Sequence, residues 1–336
     1  MQDLFTLLAR LTALPTPSGQ EGNALPFFKE VLEPLGASVS GDRFGNIKAV
    51  FGSGDVFLDA HIDKIGMVVT HVAENGFLRA APVGRLDGRT LAAADFTVFG
   101  KQPLFATVCA TPPHLLTAEK TNTVPAPEEL WLDTGLSEQE AREQVQPGDR
   151  ILFRGQTERL GDDTVTSPYL DNSAGCAVLL RTAQLLQEQN ALDNLTLCFS
   201  AQEEAGLRGA APSIFGEKHT RVYVVDVSFG EAPGIRAENC GKMGGGAMVG
   251  FSPVLDADIS RALCRLAEDE NLPCQREIMG AHTGTNADIL SKTAGGFATA
   301  MLSVPIRNMH TPAETVRLSD IENTAALLAA AIRKGV

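Results

Sequence analysis

The chain lacks the features of a membrane protein or of a nucleic-acid-binding protein. Its 336 residues contain no apolar run long enough to cross a bilayer as a helix. Its 28 lysines and arginines are outnumbered by 41 aspartates and glutamates, which gives a net charge of −13. This charge argues against nucleic-acid and anionic-membrane partners, because both require a basic surface.

Cysteine is scarce and has no recognisable spacing. The six cysteines form no CxxC pair and no zinc-finger pattern, and most of them lie in apolar stretches. We therefore expect reduced thiols that pack as small hydrophobic residues and no cysteine-based metal site. The segment Met1–Phe5 shows neither the basic nor the apolar region of a signal peptide, so we expect a cytoplasmic protein.

The length of the chain and a change in its pattern predict two domains. Residues 1–65 and 163–336 alternate helical periodicity with short apolar runs, which predicts an α/β domain. Residues 66–162 contain short β-like runs separated by Gly, Pro and Asp turns, which is typical of a small barrel or sandwich. We interpret them as an inserted β-rich domain.

The N-terminal part of the chain predicts two helices. Apolar residues recur at helical spacing over residues 2–14, and a second helix is expected to end near Leu35. Ser18 is expected to cap this second helix, with Glu21 as its partner in a capping box.

The segment that most strongly suggests chemistry contains two adjacent glutamates. The apolar run Leu195–Phe199 predicts a buried strand, which leads into Glu203 and Glu204 and then into two glycines. A turn at this point would place both carboxylates in one pocket, whereas a continuing strand would send them to opposite faces. One glutamate would then bind a metal while the other acts as a base on metal-bound water. The alternative is a solvated acidic loop.

Four other polar residues lie at the ends of predicted elements. His61, Asp226 and His310 come at or after the ends of strands, and Asp171 precedes a helix. Each has a simple structural explanation, such as a helix N-cap for Asp171. With one of the two glutamates, these four residues make a set of two histidines and three carboxylates. Such a set fits two divalent cations that share one carboxylate.

Five segments resemble motifs of the M42 aminopeptidases, a family that includes glutamyl aminopeptidases and proteins historically labelled endoglucanase M. The segments occur in the order and spacing of that family and extend over nearly the whole chain, and the β-rich insert also matches. They are His61–Gly66, Tyr169–Cys176, Gln202–Ala210, Val225–Val227 and Arg307–Glu314.

The resemblance implies a role for each matching residue. Each subunit would bind two divalent metal ions, zinc or cobalt and otherwise manganese. His61 and Asp226 would hold one ion, Glu204 and His310 would hold the other, and Asp171 would bridge them. Glu203 would be the general base acting on a metal-bridging water. Asp63 would orient His61 from outside the metal ligands.

The resemblance also implies a fold, a substrate and an assembly. The fold would be a three-layer α/β/α zinc-peptidase-like catalytic domain with a mixed sheet, formed by residues 1–65 and 163–336. The barrel-like insert, residues 66–162, would serve dimerisation, and dimers of this family build a hollow tetrahedral dodecamer. The substrates would be short unblocked peptides that lose their N-terminal residues.

Other functions remain open from the sequence alone. A related metal-dependent amidase or deacylase would use the same metals on a blocked or modified amino acid. A non-catalytic member would have a decayed site, although every expected ligand is present. A glycosidase is disfavoured because its two carboxylates must face each other across a sugar, about 5–9.5 Å apart. Adjacent residues such as Glu203 and Glu204 rarely reach this arrangement.

Two positions depart from the pattern of the family. Lys64 stands where members usually carry an acidic residue, and we expect its side chain to face solvent. Asn286 replaces the aspartate of a segment usually written Thr-Asp-Ala, which leaves the role of this segment and of the substrate pocket open.

Overall fold

The computed structural model describes residues 3–117 and 123–336. None of the described helices is long and apolar enough to span a membrane. The helices are α1 (Leu4–Thr12), α2 (Leu25–Leu32), α3 (Gly88–Leu91), α4 (Glu138–Gln144), α5 (Leu170–Glu188), α6 (Ala210–Ile214), α7 (Ala257–Asp269), α8 (Ala287–Leu290) and α9 (Leu318–Lys334). The strands are β1 (Ser38–Gly41), β2 (Ile47–Phe51), β3 (Val56–His61), β4 (Gly66–Val72), β5 (Leu78–Val83), β6 (Asp95–Phe99), β7 (Pro103–Cys109), β8 (Trp131–Asp133), β9 (Arg150–Phe153), β10 (Glu158–Leu160), β11 (Thr164–Ser167), β12 (Leu195–Ser200), β13 (Arg221–Phe229), β14 (Ala247–Phe251), β15 (Cys274–Ile278), β16 (Thr299–Arg307) and β17 (Glu314–Arg317).

In the part of the chain that the structure describes, the larger of two sheets has eleven strands. Its main path runs in the order β1-β2-β12-β3-β13-β16-β17-β11-β10, and β14 and β15 extend from β16. The central neighbours β12, β3, β13 and β16 are parallel. Both ends of the path are antiparallel. The sheet is therefore mixed, as the sequence predicts.

Helices cover both faces of this sheet. Along β3 successive side chains point to opposite faces, so Leu58 packs in the core that contains α1, α5, α7 and α9. Phe57 packs in the opposite core, which contains α6 and α8. On β13, Tyr223 and Val224 are divided between the two cores in the same way. The predicted three-layer α/β/α architecture is confirmed.

The remaining strands form a closed antiparallel barrel in the order β4-β5-β8-β7-β6-β9. The barrel has its own apolar core, in which Phe96 stacks on Phe153 with ring centroids 4.6 Å apart. The predicted barrel-like insert is therefore present. β10 pairs within the large sheet rather than in the barrel, and the domain boundaries after residues 65 and 162 stay predictions.

The N-terminal segment follows the prediction in its helices but not in its capping box. α1 lies within the predicted range, and a 3-10 turn and α2 follow. Ser18 donates its hydroxyl hydrogen bond to Oδ2 of Asp63 at 2.6 Å. Oε1 of Glu21 accepts from the backbone N–H of Gly19 at 2.7 Å and of Gln202 at 3.0 Å. The predicted capping box is wrong, because both side chains are buried and each has a partner in a distant segment, Asp63 for Ser18 and Gln202 for Glu21.

The carboxyl ends of the parallel strands β12, β3 and β13 lie side by side. Ser200 at the end of β12 is the register partner of His61 at the end of β3. Asp59 and His61 alternate with the residues that face α1 and α5, so they lie on the face of α6 and α8. Asp226 of β13 lies on the same face, because it continues the alternation of Val224. Sequence-distant polar side chains thus meet at one edge of the sheet.

Candidate functional site

A cavity of about 440 Å³ opens at this edge of the sheet. It is lined by Glu203 and by all the predicted metal ligands, whereas Asp63 lies beneath it, fully buried. The predicted ligands in its wall are His61, Asp171, Glu204, Asp226 and His310.

One group of ligand atoms is formed by His61, Asp171 and Asp226. Nε2 of His61 lies 3.1 Å from Oδ1 of Asp171 and 3.6 Å from Oδ1 of Asp226. β3 and β13 supply His61 and Asp226. Asp171 lies at the start of α5 and has non-helical backbone angles, so the regular helix begins after it.

The second group is formed by Asp171, Glu204 and His310. Nε2 of His310 lies 3.1 Å from Oδ2 of Asp171 and 3.3 Å from Oε1 of Glu204. Within each of the two groups, one ligand atom per residue lies within 4.8 Å of the others. Asp171 therefore belongs to both groups, and it uses a different carboxylate oxygen in each.

The donor set fits two divalent cations that share Asp171. Ligand atoms bound tetrahedrally at about 2.0–2.1 Å from a cation lie about 3.3 Å from one another. The histidine–carboxylate separations here run from 3.1 to 3.6 Å. Imidazole and carboxylate are ligands that zinc, cobalt and manganese accept.

Asp63 connects a histidine to the turn that carries the two glutamates. Its Oδ1 lies 3.3 Å from Nδ1 of His61 and accepts the backbone N–H of Glu203 at 2.9 Å. Its Oδ2 accepts the backbone N–H of Glu204 at 3.2 Å. One buried carboxylate thus holds the imidazole ring and the backbone of both glutamates.

Glu21 and Asn46 hold the preceding part of the same turn, and sequence reasoning missed both. Oδ1 of Asn46 accepts the backbone N–H of Ala201 at 2.8 Å, and Glu21 accepts that of Gln202. Together with Asp63, these side chains accept four consecutive backbone N–H groups, those of residues 201–204. Glu21 is expected from the sequence to belong to a capping box, so its pattern did not point to the site.

The environment of Glu203 is strongly acidic. Burial raises the pKa of Glu203 to about 9, and the charges of Asp226, Glu204 and Asp171 act in the same direction while His61 opposes them. Burial also raises the pKa of Glu204 and of Asp226. A cation bound beside these groups would favour their ionised forms.

The two histidines are surrounded by carboxylates. Burial opposes the charged form of His61, but its hydrogen bonds with Asp171 and Asp226 outweigh burial and raise its pKa well above the usual range. Burial also opposes the charged form of His310, but its hydrogen bonds with Asp171 and Glu204 outweigh burial and raise its pKa to about 11. The pKa of Asp171 lies well below its usual range despite burial, because both histidines face it. The cluster therefore favours positive charge.

Lys64 does not face solvent, so the expectation for this residue is wrong. Its side chain is 1% exposed. Nζ donates to the carbonyl oxygens of Thr12 at 2.7 Å and Leu11 at 3.2 Å, and also to that of Leu14. These carbonyls lie at the C-terminal end of α1, where the negative end of the helix dipole favours a cation, and those of Leu11 and Leu14 also accept backbone N–H groups.

Asn286 is buried beneath the site. Its Nδ2 donates to Oδ2 of Asp59 and to Oγ of Ser200, both at 2.8 Å. Asp59 lies on β3, two residues before His61 and on the same face. The amide at position 286 thus supplies a hydrogen-bond donor to a buried carboxyl group below the ligands.

Comparison with known proteins identifies the family. The profile described as M42 glutamyl aminopeptidase matches residues 45–327. The lysyl aminopeptidase of Pyrococcus furiosus is 30% identical, over 98% of this chain and 97% of its own length.

Solved structures agree with this result. An aminopeptidase from the archaeon Desulfurococcus kamchatkensis has a TM-score of 0.89 and 26% identity, over 98% of this chain and 94% of that chain. The TET1 peptidase of Pyrococcus horikoshii, which can assemble into a tetrahedron or a large octahedral shell, has a TM-score of 0.85 and 27% identity, over 98% of both chains. This chain therefore belongs to the M42 family of aminopeptidases, and it is a peptide hydrolase.

Proposed function

We propose that this protein is a di-metal aminopeptidase that removes N-terminal residues from short unblocked peptides. The observation that carries the proposal is the position of Asp171 between two histidines. Its Oδ1 faces Nε2 of His61 and its Oδ2 faces Nε2 of His310, each at 3.1 Å. A carboxylate in this position would bridge two cations, which is the arrangement that two-metal hydrolysis requires.

The ligands divide between the two ions according to their contacts. One ion would be held by His61, Asp226 and Asp171, and the other by Glu204, His310 and Asp171. Zinc or cobalt would be bound, with manganese as the next choice. When bound, the ions lower the pKa of water and polarise the carbonyl group of the scissile bond.

Glu203 would be the general base. It lines the same cavity and lies within 4.8 Å of ligand atoms of His61 and Glu204. Its ionised carboxylate takes a proton from the attacking water and delivers it to the leaving amine. The backbone carbonyl oxygen of Asp63 lies 3.2 Å from Nδ1 of His61, and its carboxylate lies 3.3 Å from the same atom. Both are acceptors, so the proton would stay on Nδ1 and the lone pair of Nε2 would be free for a cation.

A homo-oligomer is part of the same proposal. The assemblies of the Pyrococcus horikoshii relative support it. The barrel would supply contacts between subunits, from a dimer up to a tetrahedral dodecamer. Enclosure of the sites inside such a shell would restrict the substrates to short or unfolded peptides.

The test is hydrolysis of a peptide panel in which each peptide has either a free or an acetylated N-terminus. Each peptide is offered to metal-loaded protein and to protein stripped by chelation. Metal-dependent release of the first residue from the free-amine forms alone is expected. Cleavage of the acetylated forms alone would assign a deacylase. Full activity of protein shown to be metal-free would contradict the two-metal site.

A Glu203→Gln variant separates the base from the ligands. We expect it to bind two ions per subunit by elemental analysis and to lose turnover by about 10²–10⁴-fold, since this is the usual contribution of a general base. Near-normal turnover with full metal content would remove Glu203 from this role.

A further inference from the structure

The cavity contains one more carboxylate, which the proposed chemistry does not use. Glu277 lies on β15 and lines the cavity together with the proposed ligands. It is absent from the groups of described residues that could hold a metal. Its side chain is partly buried, so its charge is only partly screened by water.

Glu277 is held in place by two neutral hydroxyl groups. Ser303 donates to its Oε2 at 2.6 Å, and Ser228 donates to its Oε1. Within residues 3–117 and 123–336, no lysine, arginine or histidine forms an ion pair with it. Burial raises its pKa, although both serines favour its charged form. A carboxylate in this setting gains from a cationic partner.

Glu277 lies close to the place where the reaction would occur. Ser228 follows Asp226 by two residues on β13, so both side chains point to the same face. Ser303 is the register partner of Asp226 on β16. Glu277 contacts both of these serines, so it lies beside the proposed ligand and within reach of the first side chain of a peptide bound there.

The cavity that Glu277 lines also contains two long apolar side chains, those of Met301 and Met309. Lysine and arginine have the matching shape, because their aliphatic stems pack on apolar surface while the charged end meets a carboxylate. Arg85 also lines the cavity but is exposed, so water and salt screen its repulsion of such a substrate.

We propose that Glu277 selects peptides that begin with lysine or arginine, by pairing with the cationic end of that first side chain. This inference rests on the proposed aminopeptidase function. It predicts that the charge of the side chain, and not its length, decides the preference.

The experiment compares substrates that begin with lysine and with norleucine, because these side chains have the same stem length and only lysine has an ammonium group. The value of kcat/KM is measured for metal-loaded wild type, Glu277→Gln and Glu268→Gln. Glu268 is exposed on α7 and does not line the cavity, so its variant makes the same change in net charge away from the site. We expect wild type and Glu268→Gln to prefer lysine by about 10- to 100-fold, equivalent to about 1.4 to 2.8 kcal/mol.

Glu277→Gln is expected to lose this preference, because its kcat/KM on the lysine peptide falls about 10- to 100-fold more than its kcat/KM on the norleucine peptide. Circular dichroism and elemental analysis establish that the variant is folded and loaded with metal. Equal rates on both substrates in wild type, or a lysine preference that survives in Glu277→Gln, would overturn the inference and leave the aminopeptidase in place. Failure to release a residue from any free-amine peptide would overturn both proposals.

A binding measurement gives an independent readout. Calorimetry with lysinamide and norleucinamide is carried out on the Glu203→Gln protein and on the Glu203→Gln/Glu277→Gln protein. Tighter binding of lysinamide to the first protein only is expected. Equal affinities for the two amides in the first protein would contradict the role of Glu277.

Discussion

Asp63 and Glu203 are joined by a hydrogen bond of 2.9 Å from the backbone N–H of Glu203 to Oδ1 of Asp63. The other oxygen of Asp63 accepts from the hydroxyl of Ser18 at 2.6 Å and from the backbone N–H of Glu204 at 3.2 Å. The proposed base is therefore positioned through its backbone by a side chain that does not line the cavity. A change at Asp63 acts on the base and on His61 together.

Replacing Asp63 with Asn is expected to impair both catalysis and stability. An amide has only one oxygen acceptor, so at least one of the buried donors around Asp63 loses its partner, at about 1–3 kcal/mol. We expect kcat to fall about 10- to 100-fold, since misplacing a catalytic group by about 1 Å has this effect. Steady-state kinetics and urea unfolding measure the two effects. Asp55→Asn, at an exposed position before β3, is the control. Unchanged kcat in Asp63→Asn would contradict the positioning role.

Metal affinity is expected to rise with pH. Without metal, His61 and His310 remain protonated near neutral pH, because their pKa values lie above the usual range, that of His310 at about 11. A cation requires the neutral imidazole, so binding must release protons, and acid must release the metal. Calorimetric titration of chelated protein with Zn²⁺ in buffers of different ionisation enthalpy counts the released protons. Affinity that is constant from pH 6 to pH 8, with no proton release, would contradict this prediction.

Lys64→Met is expected to destabilise the fold without altering any residue that lines the cavity. The variant removes the Nζ donor from three carbonyl groups at the end of α1. Those of Leu11 and Leu14 keep a backbone N–H donor, so the buried carbonyl of Thr12 is the one that loses its partner. A single unsatisfied buried group costs about 1–3 kcal/mol, so we expect the free energy of unfolding to fall by about that amount. The control is Lys29→Met, at an exposed position on α2, which should stay within about 0.5 kcal/mol of wild type. Equal stability of the two variants would show that the contacts of Lys64 contribute little.

Asn286→Asp is expected to make stability more sensitive to pH. Burial raises the pKa of Asp59 to about 6, and the amide of Asn286 now opposes that rise. A second carboxyl group would repel the charge of Asp59 and raise the pKa further. A raised pKa in the folded state gives stability that is present at low pH and is lost as pH rises through the folded pKa. The variant should therefore lose more stability than wild type between pH 5 and pH 8.

Urea unfolding at these two pH values checks the prediction. Asn23→Asp, at an exposed position before α2, serves as the control and should behave like wild type. If the loss between pH 5 and pH 8 is the same in Asn286→Asp and wild type, the two side chains do not interact as the structure shows.

The sequence predicts the parts of the fold and site that depend on local patterns. Apolar runs identify β3, β12 and β13, and polar residues at their ends indicate a site because the carboxyl ends of parallel strands meet. His61 and Asp226 could be predicted to lie together for this reason. The position of His310 depended more on the resemblance, since it follows a strand that runs into a loop.

The contacts made across the chain could not be predicted. Glu21 reaches the backbone of Gln202, which is 181 residues away, and no local pattern records that distance. Lys64 looked exposed because lysine is almost never fully buried without partners. Its partners are carbonyl groups at the end of a helix, and they become its neighbours only in the folded chain.

The position of β3 has a consequence for the way the chain emerges from the ribosome. β3 is buried along its whole length, and it pairs with β12 on one edge and with β13 on the other. Both partners are synthesised after the entire barrel. The barrel can close while β3 still has two unpaired edges, so the nascent chain exposes an apolar strand until β13 has left the ribosome. We therefore expect correct folding to depend on protection of this strand during translation.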